Sequence, residues 1–178
     1  MKKKRYLLQE ILNVSLYLLI VLIMTLLVVR FVGERTRVNG DSMETTLSDG
    51  DNLIVNKIQY RFSKPKRFDV VVFSFKYASQ TYYIKRIIGL PGETVQIKDS
   101  VIYINDEPLP ESYGIEAMKD AGLASEKIRL GKNEYFVLGD NRNRSVDSRD
   151  PSVGPVAKSS IVGKAWLRIY PFYKFGGV

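Results

Sequence analysis

Between Ile11 and Val29 the chain reads ILNVSLYLLIVLIMTLLVV, nineteen residues without a charge and with only Asn13, Ser15 and Thr25 as polar side chains. A helix that is apolar on every face has to be covered on every face, so this run constrains the fold more than any other stretch. At a rise of about 1.5 Å per residue it nearly crosses a hydrocarbon layer roughly 30 Å thick, and Leu7, Leu8, Phe31 and Val32 can extend it. The rival is a cleavable leader, whose apolar core would run to about 15 residues and end in small residues. Here the run is longer and ends VVRFVGER. The expectation is an uncleaved anchor over 11–32 preceded by a short cytoplasmic tail, 1–10. Lys2, Lys3, Lys4 and Arg5 stand before it, and Arg30, Arg35 and Arg37 after it with Glu34 among them. That bias keeps the amino terminus in the cytoplasm and puts 35–178 outside it, in a cell-membrane protein with a single span.

Beyond residue 34 the texture changes to short runs of Val, Ile, Phe and Tyr broken by Gly, Pro, Asp and Asn. The pattern predicts strands at 35–40, 52–58, 69–75, 81–89, 94–98, 101–104, 134–139 and 161–170, separated by turn signals at 48–51, 90–93 and 104–111. Such spacing predicts a mainly β fold, an antiparallel β-sheet domain following one transmembrane helix. Residues 111–125, ESYGIEAMKDAGLAS, form the one helix-like stretch outside the anchor.

The chain has no histidine and no cysteine. This removes disulfides, thiolate zinc sites and cysteine nucleophiles, together with the commonest metal ligand and the usual general base. A net charge of +8 raises the question of nucleic acid. However, its first cluster abuts the anchor and the later charges are scattered among acids, so no nucleic-acid partner is expected.

Ser42 lies in VNGDSMETTLSDGD, a turn that resembles a nucleophile loop, and a chain of this composition leaves few bases for it. A lysine can serve if burial lowers its pKa from about 10.4 by several units. The strand TYYIKRIIG offers one. Side chains alternate along a strand, so Lys85 and Arg86 face opposite ways. Arg cannot lose its proton whereas Lys can, which makes Lys85 the candidate base and leaves Arg86 to be held by a carboxylate. An edge strand with two solvated cations is the plainer alternative. The loop LGDNRNRSVDSRD, 138–150, interleaves three arginines with Asp140, Asp147 and Asp150, which argues against a cation site. It reads as a salt-bridged loop that offers the Ser145 hydroxyl to orient an amine, with Asp147–Arg149 or Asp140–Arg86 pairs holding its shape.

Taken together, GDSMETTL, DGDNLIVNK, RFDVVVF, YYIKRIIGLPGE and GDNRNRSVDSR resemble, in order, the motif boxes of bacterial type I signal peptidases, and VGKAWLRIYP after them is similar to that family too. The resemblance implies a membrane-bound serine endopeptidase with a serine–lysine dyad and no cofactor or metal, acting on the signal peptides of exported preproteins after small-x-small motifs. It implies Ser42 as nucleophile, Lys85 as general base and Ser145 as the hydroxyl that hydrogen-bonds the base. The Ser42 backbone N–H is implied as oxyanion donor, and Arg86, Asp140, Asp147 and Arg149 as structural support. Val38 and Met43 flank the nucleophile as candidates for shallow substrate pockets, and the lipid bilayer is the second expected partner.

Two departures stand out. Gly40 replaces a hydroxyl residue that supplies a second oxyanion donor in some relatives, and Thr45 replaces the usual proline, which puts the stiffness of the loop in question. The aromatics of AWLRIYPFYKF, 165–175, suit either lipid headgroups or the domain's own core. A non-catalytic anchored relative, a self-cleaving repressor and a basic surface-binding domain are the competing readings. The first would lack the nucleophile or base, the second needs a DNA-binding region where the anchor stands, and the third needs a clustered basic face.

Overall fold

The computed structural model describes residues 2–31, 33–78, 81–114 and 116–178. Helix α1, Lys2–Phe31, contains the apolar run and begins well before it, taking in residues 2–10 of the expected tail, while Met1 lies outside the described residues. Val32, the last residue of the expected anchor, lies outside the described residues. Over Arg5–Leu26 none of the helix is buried against the rest of the chain. Apolar surface on that scale is not left in water.

The remaining chain forms β1 (Gly33–Arg37), β2 (Asn52–Asn56), the single turn α2 (Gln59–Phe62), β3 (Val70–Ser74), β4 (Tyr82–Gly89), β5 (Thr94–Lys98), β6 (Val101–Ile104), β7 (Glu107–Pro108), β8 (Ile128–Arg129), β9 (Glu134–Leu138), β10 (Val156–Ala157), β11 (Ile161–Tyr170) and β12 (Gly176–Gly177). One sheet runs β1-β2-β11-β3-β4-β9-β10, with β12 pairing β11, and a smaller one runs β7-β6-β5-β8. All described pairings are antiparallel. The expected mainly β, antiparallel class is the observed one.

The differences from expectation have local causes. The first strand begins at Gly33 and stops at Arg37, because Val38 N–H turns to Asp51 O and opens the loop that carries Ser42. The helix expected within 111–125 does not form, and only a 3₁₀ turn at Gly122–Ser125 appears. Glu111 is drawn instead to the Arg142 guanidinium at 2.7 Å, and Gly122 adopts φ +50°.

Three apolar clusters hold the domain. Ile88, Phe136 and Leu138 meet Val95, Ile97 and Ile102 between the two sheets. Val71, Phe73, Ile87 and Val137 pack with Val153 and Val156 on one face of the large sheet. Val38, Met43 and Leu47 pack on Leu53, Val70 and Ala165. Each fully buried side chain of this size contributes about 1.5–3 kcal/mol. The third cluster therefore ties the Ser42 loop to the sheet through the residues on either side of the serine.

Candidate active site

Strand alternation places Lys85 and Arg86 on opposite faces of β4, and both are buried. Arg86 is met by Asp140 in a two-pronged pair, Nε to Oδ1 at 2.9 Å and Nη2 to Oδ2 at 2.7 Å. It also donates to Phe68 O at 2.9 Å and stacks 3.7 Å from the Tyr113 ring. Lys85 has no carboxylate partner among the described residues. Its Nζ lies 2.7 Å from Ser42 Oγ and 3.0 Å from Ile84 O. Burial strips water from the ammonium and lowers its pKa from 10.5 to about 8, against the opposing pull of Asp147 and then Asp140.

The Ser42 loop is fastened from several sides. Leu47 N–H closes onto Met43 O at 2.8 Å, and Thr46 Oγ1 donates to Asp140 Oδ2 at 2.6 Å. Asn141 N–H donates to Ser42 O at 3.0 Å, and its side chain donates to Asp41 O at 3.2 Å. These contacts hold the loop although Thr45, exposed and in place of proline, adds none of proline's stiffness. The Ser42 N–H has no acceptor among the described residues.

Gly139 lies where the two halves of the site approach. A Cβ there would fall inside contact distance of the Ser145 hydroxyl and the Ser42 carbonyl, so only glycine fits. Ser145 Oγ is buried and has no hydrogen-bond partner among the described residues. The structure thus brings Ser42 and Lys85 into contact and sets Ser145 against Gly139, with no bond drawn from Ser145 to the amine. Asp147 accepts from Gly139 N–H at 3.1 Å and from Arg149 Nε at 2.9 Å. Val38 and Met43 are almost fully buried, so they form the floor of the cleft rather than projecting into it.

Thr46, Asn141 and the Arg142–Glu111 pair escape a reading of the sequence alone. A hydroxyl four residues past a loop serine and an amide beside Asp140 are their only local signals.

The dyad opens onto a cleft of about 610 Å³, bounded by 36–43 on one side, 81–85 on the other, and Arg144 and Val146. A larger concavity of about 720 Å³ lies behind Ser145, but its buried arginines, Arg142 and Arg149, are tied to Glu111 and Asp147, and it offers no nucleophile–base contact. Both strands facing the cleft have free edges among the described residues. β1 ends the large sheet, and β9 pairs with β4 only from Arg86 onward, leaving Tyr82–Lys85 open on that side.

The family described as "Signal peptidase, peptidase S26" matches residues 11–170. The chain belongs to the signal peptidase I family. Signal peptidase I T of Bacillus subtilis is 38% identical over 87% of this chain and 83% of its own length. Signal peptidase I of Leptolyngbya laminosa is 40% identical over 82% of this chain and 73% of its own. A solved signal peptidase I from Enterococcus faecalis is 35% identical, covering 57% of this chain and 97% of that one at a TM-score of 0.47. As a signal peptidase I relative, the chain is a serine peptidase and a hydrolase.

Proposed function

We propose that this chain removes signal peptides from exported preproteins, with Ser42 as nucleophile and Lys85 as general base. The 2.7 Å contact between Lys85 Nζ and Ser42 Oγ inside an open cleft carries this reading. The neutral amine takes the Ser42 proton as Oγ attacks the scissile carbonyl. The resulting oxyanion is met by the Ser42 N–H. Collapse breaks the C–N bond, and the lysine proton passes to the departing amine, leaving an ester on Ser42. The neutral Lys85 amine then deprotonates a water whose oxygen attacks the ester carbonyl. Collapse breaks the C–Oγ bond, the lysine returns the proton to Ser42 Oγ, and the signal peptide leaves with a new carboxyl end. Ile84 O holds the amine in line, and Ser145 offers a further hydroxyl to it. Arg86–Asp140 and Asp147–Arg149 keep the two loops in register.

Substrate enters as an extended strand between the free edges of β1 and β4, and its alternate side chains drop toward Val38 and Met43. A floor that is already filled leaves room for small side chains, in keeping with cleavage after small-x-small sequences. Residues 11–32 anchor the protein with residues 1–10 in the cytoplasm, and 35–178 act outside it as the peptidase domain. Trp166, Tyr170, Phe172, Tyr173 and Phe175, each more than half exposed, suit the headgroup level of the bilayer.

The test is cleavage of a preprotein ending in Ala-x-Ala by the full-length protein in detergent, beside Ser42→Ala. Cutting after the second alanine by the parent alone is expected. Equal cutting by the variant, or none by folded parent protein, overturns the assignment.

A further inference from the structure

Against the expectation that the charges beyond the anchor are scattered among acids, the crossover linking β2 to β3 from Lys57 to Arg67 reads KIQYRFSKPKR, with five cations and no acid. Nearby carboxylates are already engaged. Glu34 is paired with Lys57, Glu93 with Arg67 at 2.5 Å, and Asp69 with Lys164 at 2.6 Å. Glu134 accepts from Gly131 N–H at 2.8 Å. Arg61, Lys64 and Lys66 are exposed, and together with Lys132 and Lys158 they form no ion pair among the described residues. Lys64, Lys66, Lys132 and Lys158 line a concavity of about 460 Å³ beside the paired Arg67. Next to Arg61, Phe62 is 85% exposed, in the single turn α2.

The position of this cluster selects its partner. Asn56 pairs with Gly33, and Lys57 is bonded to Glu34, directly after α1. Phe62 is five residues further on, hence at most about 18 Å from Lys57. A basic cleft with an apolar side chain beside it, tethered this close to a membrane span, faces phosphate and acyl chain together.

We infer that the 57–67 crossover, with Lys132 and Lys158, docks on anionic phospholipid headgroups of the bilayer that α1 spans, Phe62 entering the headgroup–acyl boundary. The inference rests on the anchoring reading above. Free phosphate would satisfy the cations but leave Phe62 in water. Docking here, in addition to the span and to the aromatics of β11 and the segment after it, would fix the tilt of the domain, which the span alone leaves free.

The chain's lack of cysteine makes the test direct. Full-length Phe62→Cys carrying an environment-sensitive fluorophore is placed in lipid nanodiscs of neutral phosphatidylcholine, or with about 30 per cent phosphatidylglycerol. Glu126→Cys, labelled alike, reports on the smaller sheet. The expected result is a blue shift at position 62 in anionic discs only, lost in about 0.5 M salt, where screening falls to a few ångströms. Adding Arg61→Gln, Lys64→Gln and Lys66→Gln should remove most of the shift, and position 126 should not respond. Equal emission in both discs, or a shift that survives the triple substitution, overturns the headgroup site alone. Protein that fails to co-elute with either disc overturns the anchoring reading and this one with it.

Discussion

The two sides of β4 present the same problem, a buried cation, and solve it differently. On the Arg86 side the charge is matched by Asp140, with Thr46 and Phe68 O taking further donors, so the region is electrically complete. On the Lys85 side the nearest partners are a hydroxyl and a carbonyl, neither of them charged. Completeness suits a scaffold, and the unmatched charge is what the proposed base requires. Arginine suits the first role because it does not give up its proton, and lysine suits the second because desolvation can take its proton.

The largest effect should come from removing that asymmetry. Lys85→Arg puts a permanent cation beside Ser42, and cleavage of a preprotein should fall by at least about a thousandfold, judged by what loss of a triad member costs in a serine peptidase. Appreciable turnover by that variant would mean that Lys85 is not the base. On the other side, Arg86→Met strands the fully buried Asp140 without its partner. Breaking such a pair from one end costs about 3–5 kcal/mol, which chemical denaturation would read directly. The double variant with Asp140→Leu should recover much of the loss, and failure to recover would show that the pair acts through more than its charge.

The subtler contrast lies in pH. Since burial lowers the Lys85 pKa to about 8, the neutral amine grows in as pH rises through that value, and single-turnover cleavage should climb over the same window. Full activity at pH 5 would contradict this. Stability is linked to the same shift. Between about 8 and 10.5 the unfolded chain holds a proton that the folded lysine lacks, so raising the pH through this range relieves a penalty that is complete below it. Lys85→Met should therefore raise the melting temperature more at pH 6 than at pH 10. An equal gain at both pH values would separate packing from charge.

Much of this contrast was legible in the residues. Alternation along TYYIKRIIG separates the two cations, and the absence of histidine directs attention to lysine. The long strands announce themselves by β-branched runs. The two-residue strands β7, β8, β10 and β12 do not, because their pairing is set by distant partners rather than by their own composition. The stretch 111–125 was misleading for a related reason. Its helix-like pattern yields to the Glu111–Arg142 pair and to the close approach of Arg142 at Gly114, both long-range effects. Likewise, nothing local joins Ser42 to Lys85 across 43 positions, or sets Gly139 against Ser145 and the Ser42 carbonyl.

The unpaired edges of β1 and β4 carry a lesson about selectivity. On the proposed mode of entry, an enzyme whose sheet lacks one strand judges a polypeptide first by whether its backbone can be drawn out straight, and only afterwards by its side chains. A helical leader has to unwind near its end before it can be read, and a folded cargo domain offers no such ribbon. On that reading, mature proteins rich in small residues are protected by their own architecture, since the missing strand has to come from a chain that has not yet found its shape.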